Sequence, residues 1–248
     1  MKNILKISLT ALTMLALVGC GGGTGVASNI NKASVVTDSS KQQEIIETVN
    51  AVAFKDLGNI DMSVKASAKV SVVTLSLDGS YVTKNWGSDD ASTEMVLNLT
   101  SPMKVSNMMK SSGNGSTMTV STEEVSLLNG SIKLIEASEP TLMNSLIKTN
   151  DAEVVKQSIL AELAGMKSED FSKIRVLEDN GETTYYIDVL QSKFMELIGQ
   201  FGLQGITLKE DPVMGFTYKS KQLSGLSMLF NASYNGVDME VTLLGTIK

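Results

Sequence analysis

The chain has 248 residues and carries 21 Lys+Arg against 27 Asp+Glu, a formal net charge of −6. An acidic balance disfavours nucleic acid, whose phosphates demand a basic surface. There is no histidine and a single cysteine, which removes Ser-His-Asp and Cys-His catalysis, His-ligated metal sites and any intrachain disulfide.

At the start, Lys2 and Lys6 bracket the approach to an apolar run from Ile7 to Val18, interrupted only by Ser8, Thr10 and Thr13. A charged start followed by a short apolar stretch is the layout of a secretory signal. The run is shorter than the roughly 20 residues of a bilayer-spanning helix. Leu17-Val18-Gly19-Cys20 resembles the lipobox of bacterial lipoproteins. The resemblance implies a diacylglycerol on the Cys20 thiol and cleavage that leaves Cys20 as the new N-terminus. Residues 1–19 are then a signal peptide, and losing Lys2 and Lys6 leaves 19 Lys+Arg against 27 Asp+Glu, a net charge of −8. Gly21, Gly22, Gly23 and Gly25 open a stretch that reads as a flexible tether over residues 20–40. A diacylglycerol plus an N-acyl chain supplies the more-than-one chain that stable anchoring takes. The expected location is therefore the bacterial cell envelope, exported and held on the cell membrane or outer membrane through acylated Cys20. By analogy with enteric bacteria, Gly21 rather than Asp after the cysteine favours outer-membrane sorting.

Residues 41–248 read as one domain. A helix is expected over 41–56, with Ile45, Ile46, Val49, Val52 and Ala53 on one stripe, a cap from Asp38, Ser39 or Ser40, and an end at Leu57-Gly58-Asn59. Ile60, Met62, Val64, Ala66, Ala68 and Val70 alternate with polar residues, which predicts a strand with one apolar face. The phase shifts afterwards to Val73, Leu75 and Leu77, so Ser71–Val73 is expected to hold a bend or bulge. Asp78-Gly79 or Asn85-Trp86-Gly87 are candidate turns. Alternation returns over 92–100, with Thr93, Met95, Leu97 and Leu99 on one side. Shorter strands are expected at Met103–Met109, Thr117–Ser121, Glu124–Leu128 and Ser131–Glu136, separated by the polar turns Ser111–Ser116 and Asn129-Gly130. The period then becomes helical between residues 141 and 165, with stripes at Leu142, Leu146 and Ile147 and at Val154, Val155, Ile159 and Leu163. Strands resume at Ser172–Leu177 and Thr183–Leu190 around the turn Asp179-Asn180-Gly181. A short helix, Gln191–Leu203, carries Phe194, Leu197, Ile198 and Phe201. Strands close the chain at Ile206–Lys209, Phe216–Lys219, Gly225–Tyr234 and Val237–Ile247, with Asn235-Gly236 as a hairpin signal.

Strands joined by short turns form an antiparallel sheet, and the inserted helices must cover one of its faces. The expected class is α+β: a single curved antiparallel sheet, an unclosed barrel, with helices on its concave face. This order of elements behind a lipobox resembles the LolA/LolB and LppX/LprG group of lipoproteins and lipoprotein carriers. The resemblance implies a cavity between sheet and helices that accepts lipid or another hydrophobic ligand. Strand alternation nominates Met62, Val64, Leu75, Met95, Leu97, Met228, Phe230, Met239 and Val241 as its lining, and methionine suits surfaces that re-pack around variable ligands. The alternative is a lipid-tethered surface module with a filled core that binds another envelope protein. Catalysis is not expected. Glu123-Glu124 and Asp89-Asp90 are adjacent pairs, and adjacent strand residues face opposite ways. Sugar sites usually offer aromatic platforms, and this chain has a single tryptophan, Trp86, beside the polar, turn-like Gly87-Ser88-Asp89-Asp90. No cofactor, metal or nucleic-acid partner is expected.

Overall fold

The structure, a computed structural model, describes residues 25–51, 59–70, 73–84, 92–101, 105–114, 117–122, 124–127, 130–133, 165–199, 206–234 and 237–248. The signal peptide, Cys20, Trp86 and the helices expected between 141 and 165 lie outside these residues. In chain order the elements are α1 (Val26–Lys32), β1 (Ser34–Val35), α2 (Ser39–Asn50), β2 (Ile60–Val70), β3 (Val73–Lys84), β4 (Ser92–Ser101), β5 (Val105–Asn114), β6 (Thr117–Thr122), β7 (Glu124–Leu127) and β8 (Gly130–Lys133). A 3-10 turn at Ser168–Asp170 leads into β9 (Phe171–Asp179) and β10 (Glu182–Val189). Then come α3 (Gln191–Gly199), β11 (Ile206–Leu208), β12 (Val213–Lys219), β13 (Gln222–Tyr234) and β14 (Val237–Ile247).

Twelve strands form one sheet in the order β1-β9-β10-β12-β13-β14-β2-β3-β4-β5-β6, with β11 beside the far half of β13. Neighbouring strands are antiparallel throughout. The C-terminal strand β14 pairs with β2 from Met239↔Val70 to Ile247↔Met62, which stitches the two halves of the chain together. β1 and β6 end the order without pairing to each other, so the sheet is not closed. The expected class, an unclosed antiparallel sheet with helices on it, is the observed one.

Eight adjacent strands, β9 through β4, contribute to one buried cluster: Ile174, Ile187, Phe216, Phe230, Val241, Leu243, Ala66, Leu77 and Leu99 are among its members. A flat ribbon of eight strands would be about 34 Å across at the usual strand spacing. One continuous core over that width needs a sheet that curls around its helices. The ladder register shifts at Asp188/Val189, Thr217/Tyr218, Ser76/Leu77 and Leu97/Leu99, and irregularities of this kind let strands bend.

Several local expectations are corrected. The chain reverses direction between Val70 and Val73, which face each other as a register pair, so the phase shift there marks a hairpin and not a bulge. Asp78-Gly79 is not a turn; Gly79 sits mid-strand opposite both Val64 and Leu97. Ser111–Asn114 belongs to β5 and pairs with β6, leaving a much tighter turn than the polar stretch suggested. The largest correction concerns the tether. From Gly25 onward the supposed flexible segment is structured: α1 buries Val26 and Ile30, β1 pairs with β9, and Val36 enters the main core. These apolar side chains gain burial that a solvated tether would forgo. The N-terminal segment thus straps the β9 edge, with α1 on one face of the sheet and α2 on the other.

Candidate functional site

The helix-bearing face is built from sequence-local devices. Asp38 caps α2, its carboxylate accepting from the Lys41 N–H at 2.9 Å. The Gln42 amide donates to the Val36 carbonyl at 2.7 Å and ties the helix to the incoming strap. Ile45, Ile46 and Val49 then point into the core. α3 is capped from a distance. Between β11 and β12, both of which pair with β13, the chain makes an excursion through Lys209–Pro212. Asp211 on that excursion accepts from the Gln191 N–H at 3.2 Å and from the Ser172 hydroxyl at 2.6 Å. So positioned, α3 sets Phe194 against Phe230, with ring centroids 5.9 Å apart and tilted by 43°. Tyr185 and Tyr218 meet at 5.6 Å on the same face, and the Tyr218 hydroxyl donates to the Thr48 carbonyl of α2 at 3.4 Å. Burial raises both phenols; Glu44 and Glu178 add to the effect on Tyr185, and Tyr185 to that on Tyr218.

Of the nominated lining residues, Met228, Phe230, Met239 and Val241 belong to this cluster, each at most 5% exposed. Met62 and Val64 are buried on neighbouring strand β2, at 3% and 1%. The structure thus places these six on buried, apolar positions of one sheet. Leu75, Met95 and Leu97 occupy register positions opposite Ala68, Tyr81 and Gly79; their side chains lie outside the described residues.

The opposite face holds features that the sequence reading missed. Val26 and Ile30 of α1 pack with Tyr186 and Val213, flanked by Leu177, Leu229 and Leu244. Gly215 makes room for this. A Cβ there would stand 2.8 Å from the Tyr186 ring and would also overlap the Ser227 hydroxyl. Beside α1 runs a half-open groove of about 420 Å³, whose lining includes Gly25, Asn29, Thr184, Thr217, Ser227 and Thr246. Its walls are rich in hydroxyls, and the Thr184 and Thr217 hydroxyls share a hydrogen bond of 3.0 Å. Near α1, Arg175 of β9 forms a 2.7 Å ion pair with Asp188 of β10, with side chains only 15% and 9% exposed. The contact joins Nη2 to Oδ2, and among the described residues Arg175 Nη1 and Asp188 Oδ1 have no hydrogen-bond partner. Burial pushes the Asp188 carboxyl above its ordinary range, against the pull of Arg175 and Lys173. Arg175 is the chain's only arginine, and that was the available signal: a lone guanidinium among lysines, within a strand, two residues past Lys173. Among the described residues no three Asp, Glu, His or Cys side chains gather as a metal site would require, and no helix is long and apolar enough to cross a membrane.

No protein-family model matches the chain, and no curated protein matches it significantly. Among solved structures, LprF from Mycobacterium bovis is similar at 11% identity and a TM-score of 0.35, over 81% of this chain and 91% of that one. An AttH-like protein from Nitrosomonas europaea is similar at 10% identity and a TM-score of 0.21, over 78% of this chain but only 52% of that one. Both likenesses are distant, and the fold assignment rests on the strand order and register given above.

Proposed function

We propose that this is an exported, lipid-anchored binding protein without catalytic activity. It is held on the envelope through acylated Cys20 and carries or presents a lipid, acyl chain or similar hydrophobic ligand between sheet and helices. The observation that carries the reading is the apolar cluster that spans eight adjacent strands of an unclosed sheet and packs against Ile45, Ile46 and Val49 of α2 and Phe194 of α3. An open sheet with such a face can widen without breaking a strand pair, which a closed barrel cannot. Among the described residues the hydroxyls of that face include those of Tyr185 and Tyr218, neutral phenols whose pKa burial raises further.

The second reading, a tethered module that binds another envelope protein, is favoured by one observation. Met228, Phe230, Met239 and Val241 already fill their positions against α2 and α3. Two experiments decide. Cys20→Ser should release the protein from membranes or leave the signal uncleaved; unchanged fractionation and processing would refute the anchor. A polarity-sensitive fluorescent fatty acid titrated into the chain from Gly21 onward should brighten and saturate near one equivalent. A flat titration would leave the protein-binding reading in possession.

A further inference from the structure

We propose that one end of the sheet, the end bearing the β9–β10 and β12–β13 turns, is held against the lipid surface in which Cys20 sits; this rests on the anchoring reading above. Only residues 21–24 separate Cys20 from Gly25. Five Cα steps span at most about 18 Å even when fully extended. Gly25 is followed at once by the docked helix α1, with Val26 and Ile30 buried at 4% and 6% exposure. The fold therefore begins within one short reach of the acyl chains.

The position of Gly25 on the sheet sets which end that is. It lines the outer groove, which reaches from Tyr186 and Ser227 in mid-strand to Asp179, Asn180, Glu182, Lys219 and Ile247, residues of the two turns and of the end of β14. Beyond the groove β13 runs on from Ser227 to Tyr234, a distance of about 24 Å at the usual strand rise and more than the tether spans. The opposite end, with β11, Lys209 and Asp238, lies farther from Gly25 than the tether is long. The partner is the bilayer surface itself, and tether length, not charge, holds the domain there. With a mature net charge of −8 the chain gains nothing from an anionic surface. At the near end Lys219 and Lys248 are already paired with Glu182 and Asp61, at 3.5 Å and 2.9 Å. The orientation should accordingly be insensitive to salt.

Acylation consumes the only native thiol, so a second cysteine can be labelled alone. Gln222 at the near end and Thr207, paired with Ser233 at the far end, are both exposed. The full lipidated chain, as Gln222→Cys or Thr207→Cys, would be labelled with a maleimide dye and reconstituted into phosphatidylcholine vesicles containing a headgroup-labelled acceptor. Energy transfer should be severalfold stronger from position 222. The difference should persist in high salt and collapse when about 30 Gly/Ser residues are inserted between Gly23 and Thr24. Equal transfer from both positions with the native tether, or stronger transfer from position 207, would overturn the proposal. Failure of Cys20→Ser to leave membranes would instead refute the anchor, and the orientation would fall with it.

Discussion

The two faces of the sheet come from the same strands, residue by residue in alternation, yet they are stabilised in different ways. Among the described residues the buried cluster on the helix-bearing face is aliphatic and aromatic, and so are its partners from α2 and α3. The outer face mixes hydroxyls, a buried ion pair and a small apolar patch under a seven-residue helix. The lesson is that a single sheet can hold one face by non-directional apolar packing and the other by directional contacts. Apolar packing is adaptable because its contacts have no preferred direction. A buried ion pair tolerates little movement before its desolvation goes uncompensated.

Substitutions on the two faces should separate these modes. The largest loss is expected on the helix face. Phe230→Ala removes a ring that is 2% exposed and packed at a tilt against Phe194, at a cost of about 3–5 kcal/mol in urea unfolding. Next comes the outer pair. Arg175→Met strands a buried carboxylate and should cost about 3 kcal/mol at neutral pH. Arg175→Met with Asp188→Leu, which removes both charges, should be neutral or better. A double variant as unstable as the single one would show that the pair contributes more than charge compensation. The same pair gives a pH signature. Asp188 has its carboxyl raised by burial, so the folded state keeps its proton to higher pH than the unfolded chain. Its contribution favours the folded state below the ordinary carboxylate range and is lost as pH rises through the raised value. Asp188→Asn should flatten that part of the stability–pH curve.

Smaller effects sharpen the contrast. Gly215→Ala on the outer face pushes a methyl into the Tyr186 ring and should cost about 1–3 kcal/mol. Gly245→Ala points its methyl at Met62, within 3.3 Å of that side chain's Cγ. A flexible thioether can move aside, so this second loss should be the lesser of the two in thermal unfolding. Equal losses would argue that the helix face is as rigid as the outer one. Smallest is Asp38→Ala, which uncaps α2 and should cost about 1 kcal/mol.

Where the sequence was legible, the reason is periodicity. β2 begins and ends at Ile60 and Val70 as expected because strict alternation continues through every residue between them. The β9–β10 turn was readable because Asn180 and Gly181 tolerate the positive φ of 51° and 78° that a tight hairpin needs. The β12–β13 turn was not, because Ser220 and Lys221 adopt φ of 50° and 67° without any glycine to announce it. α1 was missed for a different reason. VASNINK offers only Val26 and Ile30 as anchors behind a run of glycines, and tertiary packing rather than propensity makes it a helix. The nominated ligand residues show a further limit. Alternation correctly put Met228 and Phe230 on an apolar face, but whether that face is filled depends on partners such as Phe194, far away in sequence. The Arg175–Asp188 pair joins residues of two strands and needs their register before it can be seen.

The central claim is that the helix-bearing face takes a hydrophobic ligand. Native mass spectrometry of the chain from Gly21 onward, purified gently and followed by organic extraction, tests it most directly. The account predicts a lipid or acyl-chain adduct near one-to-one stoichiometry. A clean apo mass, unchanged after addition of phospholipid or fatty acid, would contradict it.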